Sequence, residues 1–382
     1  MAWKDVEPVE GAGYNWDAPA VKALENDMIT AAQSNLNVIL VVRGSPRWAV
    51  TPYQADCAPI NPAKYAAFAA FLEAVVERYS QPPYNVKYWE IGNEPDAYIF
   101  SRDSVFGCWG VTSDPYYGGE AYGRALKTAA LAMKAVNPEI KIMNGGLLLA
   151  HPYNPERPDE TRAGRFFEGM LRVGAGEVID IVSFHSYTYY GPGSAEPLGP
   201  PVDWRIGYLQ DLLRQYNLPK LPMIRTEAAL LCFRSTPECR WAQADLLTRL
   251  YVWTIRDNLL GTIWYVYDSD SYHNTALIEP TDVFVPRPAY FAYRQAASIL
   301  VGATYLGRLE GQAPTIEGYR FQRGDETRVI VWSESYTAFA VPVPIDATVR
   351  CYDRDGGAIA CINDNGTVRG IAQPSPQYVI VK

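Results

Sequence analysis

Short apolar runs recur along the chain as far as about residue 301. Each gives way to a polar loop and then to apolar residues spaced for a helix. The runs fall at Val38–Val42, Val86–Ile91, Lys141–Leu147, Ile179–Phe184, Met223–Thr226 and Thr262–Val266. The clearest helix lines up Tyr65, Phe68, Ala69, Leu72, Val75, Val76 and Tyr79 at i, i+3, i+4 and i+7 intervals. It opens on Asn61-Pro62, a cap residue followed by a first-turn proline. The same spacing predicts helices over Tyr122–Val136, Arg165–Val173, Asp203–Tyr216, Trp241–Asp257 and Pro288–Leu300. Strands that are apolar nearly throughout and alternate with helices indicate a parallel sheet covered on both faces. The pattern yields six strand–helix units, and a helix at about Val21–Gln33 stands before the first of them with no strand ahead of it. An eight-fold barrel would place its first two strands and first helix ahead of Met1, and no other residues in the chain supply them. Six parallel strands leave two unpaired edges, which invite self-association unless covered.

Past about Ala303 the period shortens. Tyr319-Arg-Phe-Gln, Thr327–Trp332, Ala338–Val343, Ala347–Tyr352 and Gln377–Val381 alternate or carry β-branched residues between Gly and Asp turns. Residues 302–382 therefore read as a small antiparallel β-sandwich, an accessory domain to an α/β catalytic domain over 1–301. Asn365-Gly-Thr matches a glycosylation sequon, but its composition reads as a turn.

The 382-residue length suits an α/β barrel with one accessory module, and 48% hydrophobic residues support a large core. A net charge of −8 argues against nucleic acid or an anionic membrane as partner. No apolar run reaches the ~18–20 residues of a membrane span. The 27 tyrosines and 10 tryptophans are mostly packing, yet rings at strand ends and loops also suit a sugar site, where they stack on C–H faces. Six cysteines fall into three pairable sets. Cys232 and Cys239 bracket a short loop, Cys351 and Cys361 a hairpin-like turn, and Cys57 and Cys108 follow successive strands. Disulfides would mark an exported protein whose leader has been removed; the alternative is six unrelated buried thiols. With no CxxC and only His151, His185 and His273, neither a metal site nor any cofactor is expected.

The chemistry concentrates at two strand ends. Asn93-Glu94-Pro95-Asp96 follows Val86–Ile91 and Gly92, and Glu227 follows Pro222-Met-Ile-Arg-Thr226. In a parallel barrel all strands end at one face, so both carboxyls would share a cleft. Cleaving a glycosidic bond takes such a pair, one to protonate the leaving oxygen and one to attack or to activate water. The ordinary alternative for any single Glu is a solvated surface charge.

With two strands absent, Glu94 closes the fourth and Glu227 the seventh. The chain here resembles the clan of (β/α)8 TIM-barrel retaining glycoside hydrolases, on Trp89-Glu-Ile-Gly-Asn-Glu-Pro-Asp96 and Thr226-Glu227. Within the clan it is most similar to family 39, with relatives in family 5. The supporting phrases are Trp3-Lys-Asp-Val-Glu-Pro8 with Gly13-Tyr-Asn-Trp16, Ser45-Pro-Arg-Trp-Ala49, and Pro286-Arg-Pro-Ala-Tyr-Phe-Ala-Tyr293. The resemblance implies Glu94 as acid/base with a raised pKa, Glu227 as nucleophile, and Asn93 as hydrogen-bond partner of the sugar 2-hydroxyl. His185 and Tyr187, in Ser183-Phe-His-Ser-Tyr187, would bind the nucleophile or the substrate. Trp264, in Ile263-Trp-Tyr-Val-Tyr267, would floor the site. Arg43 and Trp48 follow the first apolar run and are placed to contact sugar hydroxyls, while Asp268, Asp270 and His273 would shape substrate binding from a loop. For His185, Tyr187 and Trp264 the plain alternative is a satisfied core residue. Glu90, inside its strand run, reads as structural, paired with a cation of the barrel interior. The clan's supporting arginine on the second strand has no counterpart here. Either a longer enzyme carries it or another segment replaces it.

The expected activity is therefore hydrolysis of β-glycosidic bonds in a polysaccharide or oligosaccharide outside the cell. The rivals are a catalytically impaired carbohydrate-binding barrel and, fitting less well, a metal-dependent barrel hydrolase.

Overall fold

The structure is a computed structural model that describes residues 1–50, 55–97, 107–192, 198, 202–268 and 272–382. The chain forms two compact units. One comprises Met1–His185 and Trp204–Arg225, the other Ser186–Asp203 and Thr226–Lys382.

In the first unit the elements run α1 (Trp3–Val6), α2 (Pro19–Gln33), β1 (Ile39–Val42), α3 (Tyr65–Tyr79), β2 (Tyr88–Ile91), α4 (Gly119–Val136), β3 (Lys141–Asn144), α5 (Pro158–Thr161) and α6 (Phe166–Arg172). The chain then enters β4 (Val182–Tyr189) and returns for α7 (Trp204–Gln215) and the start of β5 (Met223–Leu231). Strands β1, β2 and β3 are parallel and in register, Ile39 opposite Tyr88 and Tyr88 opposite Lys141. Single parallel bridges, Met143 to Ile181 and Leu147 to Phe184, extend the sheet to β4. α3 forms where its apolar stripe predicts, with Phe68, Leu72, Val75, Val76 and Tyr79 buried, while the Asn61 side chain, accepting from Ala63 N at 2.9 Å, caps a separate 3-10 turn, Pro62–Lys64, that leads into it.

The free edge of β1 needs correcting. Ala2 bridges Arg43 in parallel, and Arg43 N donates to Met1 O at 2.9 Å, so the first two residues pair with the segment at the end of β1. Two residues are too few for a period-2 pattern to register.

The second unit begins inside β4 and β5. Tyr190 N donates to Leu231 O and Tyr265 N to Ala228 O, both at 3.0 Å, linking these strand ends to β6 (Thr262–Trp264). Helices α8 (Pro237–Arg256) and α9 (Pro288–Leu300) follow. The antiparallel part has nine strands: β7 (Thr304–Arg308), β8 (Ile316–Arg323), β9 (Glu326–Ser333), β10 (Thr337–Pro342), β11 (Val349–Tyr352), β12 (Ala358–Ile359), β13 (Ile362–Asp364), β14 (Thr367–Ala372) and β15 (Gln377–Val381). They form a six-stranded sheet, β12-β11-β15-β9-β8-β7, and a three-stranded one, β10-β14-β13. Strand alternation divides the larger sheet's side chains between two cores. Val329, Val331, Val379 and Val381 meet Phe339, Val341 and Val368 of the smaller sheet. Ile330, Trp332, Tyr378 and Ile380 meet Val252 of α8 and Ala296, Ile299 and Leu300 of α9. Helix gives way to antiparallel strand between Leu300 and Thr304, whereas the compact unit follows the packing and takes in α8 and α9 as well.

The cysteines pair as their spacing allowed: Cys57–Cys108, Cys232–Cys239 and Cys351–Cys361. Asn365 and Gly366, at φ 46° and 82°, make the turn between β13 and β14.

Candidate active site

In the first unit β2 ends in a turn built on close backbone approach. Gly92 N donates to Val42 O at 2.7 Å, and Glu94 N to Gly146 O at 3.0 Å. Glu94 is left-handed at φ 46°, a conformation that costs a residue with a Cβ and must be held by its surroundings. Gly145 and Gly146, after β3, leave the room: a Cβ on Gly145 would lie 2.8 Å from the Gly92 carbonyl carbon, and one on Gly146 only 2.0 Å from His185 Nε2. Glu94 is buried, 3% exposed, and its Oε1 lies 2.9 Å from His185 Nδ1. With the carboxylate ionised, the imidazole donates from Nδ1. Oε2 is buried with no hydrogen-bond partner among the described residues, which leaves an acceptor open to an incoming hydroxyl or proton. Glu90 accepts from Gly146 N at 2.7 Å, which ties the end of β3 to β2.

Asp96 is a contributor that sequence reasoning passed over. Its two oxygens accept from Leu148 N at 2.8 Å and Leu149 N at 2.9 Å, fastening the loop after β3 to the Glu94 turn. Burial, opposed by these amides and reinforced by the nearby Glu94 charge, raises its pKa to about 6. The buried Arg205 of α7 donates from Nε to Leu149 O at 3.0 Å, and burial lowers its pKa to about 10. The signal was present, since Asp96 belongs to the tetrad, but nothing in the sequence marks Leu148 and Leu149 as its partners.

In the second unit Glu227 is half-buried and lies inside β5, which runs on through the apolar Ala228-Ala-Leu-Leu231. Similarly His185 and Tyr187 lie within β4 instead of ending it. Tyr187 Oη donates to Glu227 Oε2 at 2.5 Å. Around this pair stand two further rings, Tyr265 and Tyr272, with centroids 6.2 and 5.5 Å from Tyr187 and 5.4 Å from each other. Neither was singled out from the sequence, because Tyr272 reaches the strand only through a loop. That loop is tied to β5 by Cys232 N to His273 O at 2.9 Å and Asn274 Nδ2 to Cys232 O at 2.8 Å.

The other candidates divide. Asn93 and Arg43 line a cavity of about 360 Å³ in the first unit, together with Ser45, Asp56, Trp109 and Tyr122. Trp48 is packed against Trp3 at 5.1 Å, and its indole N–H donates to Glu7 O at 3.1 Å. Trp264 is buried among Ala228, Leu230 and Leu247, and its indole N–H donates to Thr275 O at 2.7 Å. Both tryptophans thus spend their polar handles inside the protein. His273 packs its ring on Phe233 and Tyr272; Asp268 is exposed, and Asp270 lies outside the described residues.

The fold defines a class. No family profile and no curated protein matches the sequence. Solved structures do, and they are glycoside hydrolases of families 39, 30 and 51. A family 39 enzyme from the gut symbiont Bacteroides cellulosilyticus WH2 is 22% identical, with a TM-score of 0.74 over 100% of this chain and 74% of its own. A family 30 subfamily 8 xylanase from Clostridium acetobutylicum is 15% identical, with a TM-score of 0.65 over 99% and 87%. A family 39 β-xylosidase from Caulobacter crescentus is 12% identical, with a TM-score of 0.61 over 100% and 86%. At such identities the shared property is the fold, and residue roles have to be argued from this chain.

Proposed function

We propose that the protein is a retaining glycoside hydrolase that cleaves β-glycosidic bonds in a polysaccharide or oligosaccharide, with Glu94 as acid/base and Glu227 as nucleophile. One observation carries the reading. His185 and Tyr187 are two residues apart on β4, so strand alternation sends both side chains to the same face. The first holds Glu94 and the second holds Glu227. Each carboxyl that the mechanism needs thus has a hydrogen-bond partner on β4.

In the first step the Glu227 carboxylate attacks the anomeric carbon as Glu94 passes its proton to the departing glycosidic oxygen. In the second, Glu94 takes a proton from water, whose oxygen displaces Glu227 and restores both groups. The Tyr187 hydroxyl orients the nucleophile, His185 fixes the acid/base, and Asn93 contacts the sugar 2-hydroxyl. Two steps at one carbon retain configuration, a course that requires carboxyls about 5–5.5 Å apart.

The same reading makes residues 1–301 a (β/α) barrel catalytic domain and 302–382 a β-sandwich accessory domain. Three disulfides support an extracellular setting, and among the described residues no helix is long and apolar enough to cross a membrane. Glycoside hydrolase neighbours support a carbohydrate substrate.

Trapping with 2-deoxy-2-fluoro glycosides of several sugars, followed by peptide mapping, tests the assignment. Label is expected on Glu227, and Glu227→Ala is expected to abolish turnover. Label on another residue, or sugar binding with no turnover of any glycoside, overturns it.

A further inference from the structure

The turn that carries Glu94 is gripped from outside by a second segment. Gly107–Gly110 lies along Asn93–Ala97, with Asp96 and Cys108 as a single antiparallel bridge pair. Gly107 N donates to Asn93 O, Trp109 N to Pro95 O at 3.1 Å, and Gly110 N to Ala97 O at 3.1 Å. The carbonyls on either side of Glu94, those of Asn93 and Pro95, are therefore both fixed by this strap. The strap is fixed in turn by Cys57, from the loop after β1, through the Cys57–Cys108 disulfide and Cys108 N to Cys57 O at 3.1 Å. Both cysteines are buried.

The approach is tight enough to dictate residue types. A Cβ on Gly107 would lie 2.7 Å from Asn93 O and 3.0 Å from Pro95 Cα; one on Gly110 would lie 2.5 Å from the Tyr117 ring and 2.8 Å from Ala97 O. Neither glycine is left-handed, so proximity and not backbone conformation is what excludes a side chain. Glu94, by contrast, bears its side chain at φ 46°. A glutamate in that conformation relaxes toward the ordinary regions unless its flanking peptides are held.

We propose that the Gly107–Gly110 strap, locked by Cys57–Cys108, is the positioning element of the proton-transfer step: it keeps Glu94 left-handed and so aims its carboxyl at the glycosidic oxygen. This rests on the assignment of Glu94 as the acid. Loosening the strap would misplace the proton donor while leaving Glu227 and its tyrosine untouched, so the damage should depend on how much the leaving group needs a proton.

The test uses the full chain and aryl β-glycosides of the sugar that traps the enzyme. A phenyl leaving group requires protonation, and a 2,4-dinitrophenyl group departs without it. Glu94→Ala is expected to lower kcat/KM for the phenyl glycoside by ~100-fold or more and for the dinitrophenyl glycoside far less. Cys57→Ser with Cys108→Ser, and separately Gly107→Ala, should show the same signature in weaker form: about 10-fold on phenyl and about threefold or less on dinitrophenyl. Cys351→Ser with Cys361→Ser should affect both substrates equally. Should the cysteine variant fail to fold, Gly107→Ala, with the disulfide intact, carries the comparison. Equal losses on both substrates, or none, in the strap variants overturn the proposal if Glu94→Ala keeps its leaving-group dependence. If Glu94→Ala itself lacks that dependence, the functional reading fails and the proposal with it.

Discussion

A carboxylate close to a second carboxylate in a dry turn is expensive, and Asp96 is in that position beside Glu94. Its pKa is raised to about 6, by burial first, against about 4 in an unfolded chain. Between those values the folded state keeps a proton that the unfolded state has released. Stability from this group is therefore greatest below about pH 4 and declines as pH rises to about 6, by up to about 3 kcal/mol. Asp96→Asn cannot ionise. Its one carbonyl oxygen serves one of the two amides of Leu148 and Leu149 and strands the other, at a roughly constant cost of about 1–3 kcal/mol. Urea melts from pH 4 to 7 should show the variant gaining on the parent as pH rises, by up to that same ~3 kcal/mol. A difference that stays flat across the range means that Asp96 ionises normally. At this scale the sequence was informative about identity and silent about partners. Glu94 stands out in the Asn93-Glu-Pro-Asp96 tetrad and Glu227 after the run Met223–Thr226, whereas the His185–Glu94 and Asp96–Leu149 contacts join residues far apart in the chain.

Elements were legible wherever their period was long enough to count. The stripe of α3 and the alternation of Thr327–Trp332 both reappear as buried faces. What the patterns missed were the short pieces, Met1-Ala2 beside β1 and the strands β7, β12, β13 and β14, which are brief or lie among turns. They also missed the polar joint between α8 and the antiparallel sheets. Arg354, next to β11, donates from Nη1 to Asp245 of α8 at 2.7 Å and to Trp241 O at 3.1 Å, and Ser375 Oγ donates to the same Asp245 oxygen at 2.6 Å. Burial raises the Asp245 pKa and Arg354 opposes that rise, so removing the arginine alone leaves a buried charge unpaired. Arg354→Met should cost about 3–5 kcal/mol, while adding Asp245→Leu should recover most of it. Chemical denaturation of the two variants checks this, and a double variant as unstable as the single one refutes it.

At the scale of the whole molecule the disulfides have unequal work. Cys57–Cys108 spans 51 positions, against 7 for Cys232–Cys239 and 10 for Cys351–Cys361. Closing a longer loop removes more entropy from the unfolded chain. Loss of the first should therefore cost about 4 kcal/mol and loss of either other about 2–3 kcal/mol, on a chain-entropy account. Melting temperatures of the three paired Cys→Ser variants should fall in that order; the reverse order would place the stabilisation in the folded state instead. The sequence by itself determined the order of most strands and helices, the change to antiparallel strands near residue 303 and the spacings that allow the cysteines to pair. These are local properties, written in periodicity, turn residues and spacing. Only the tertiary structure decided that Glu94 is left-handed against His185, that Tyr265 and Tyr272 gather round Tyr187, and that Trp48 and Trp264 turn their N–H groups inward. Which rings face a ligand and which carbonyls hold a turn depend on contacts between distant segments, and no periodicity along one chain encodes those.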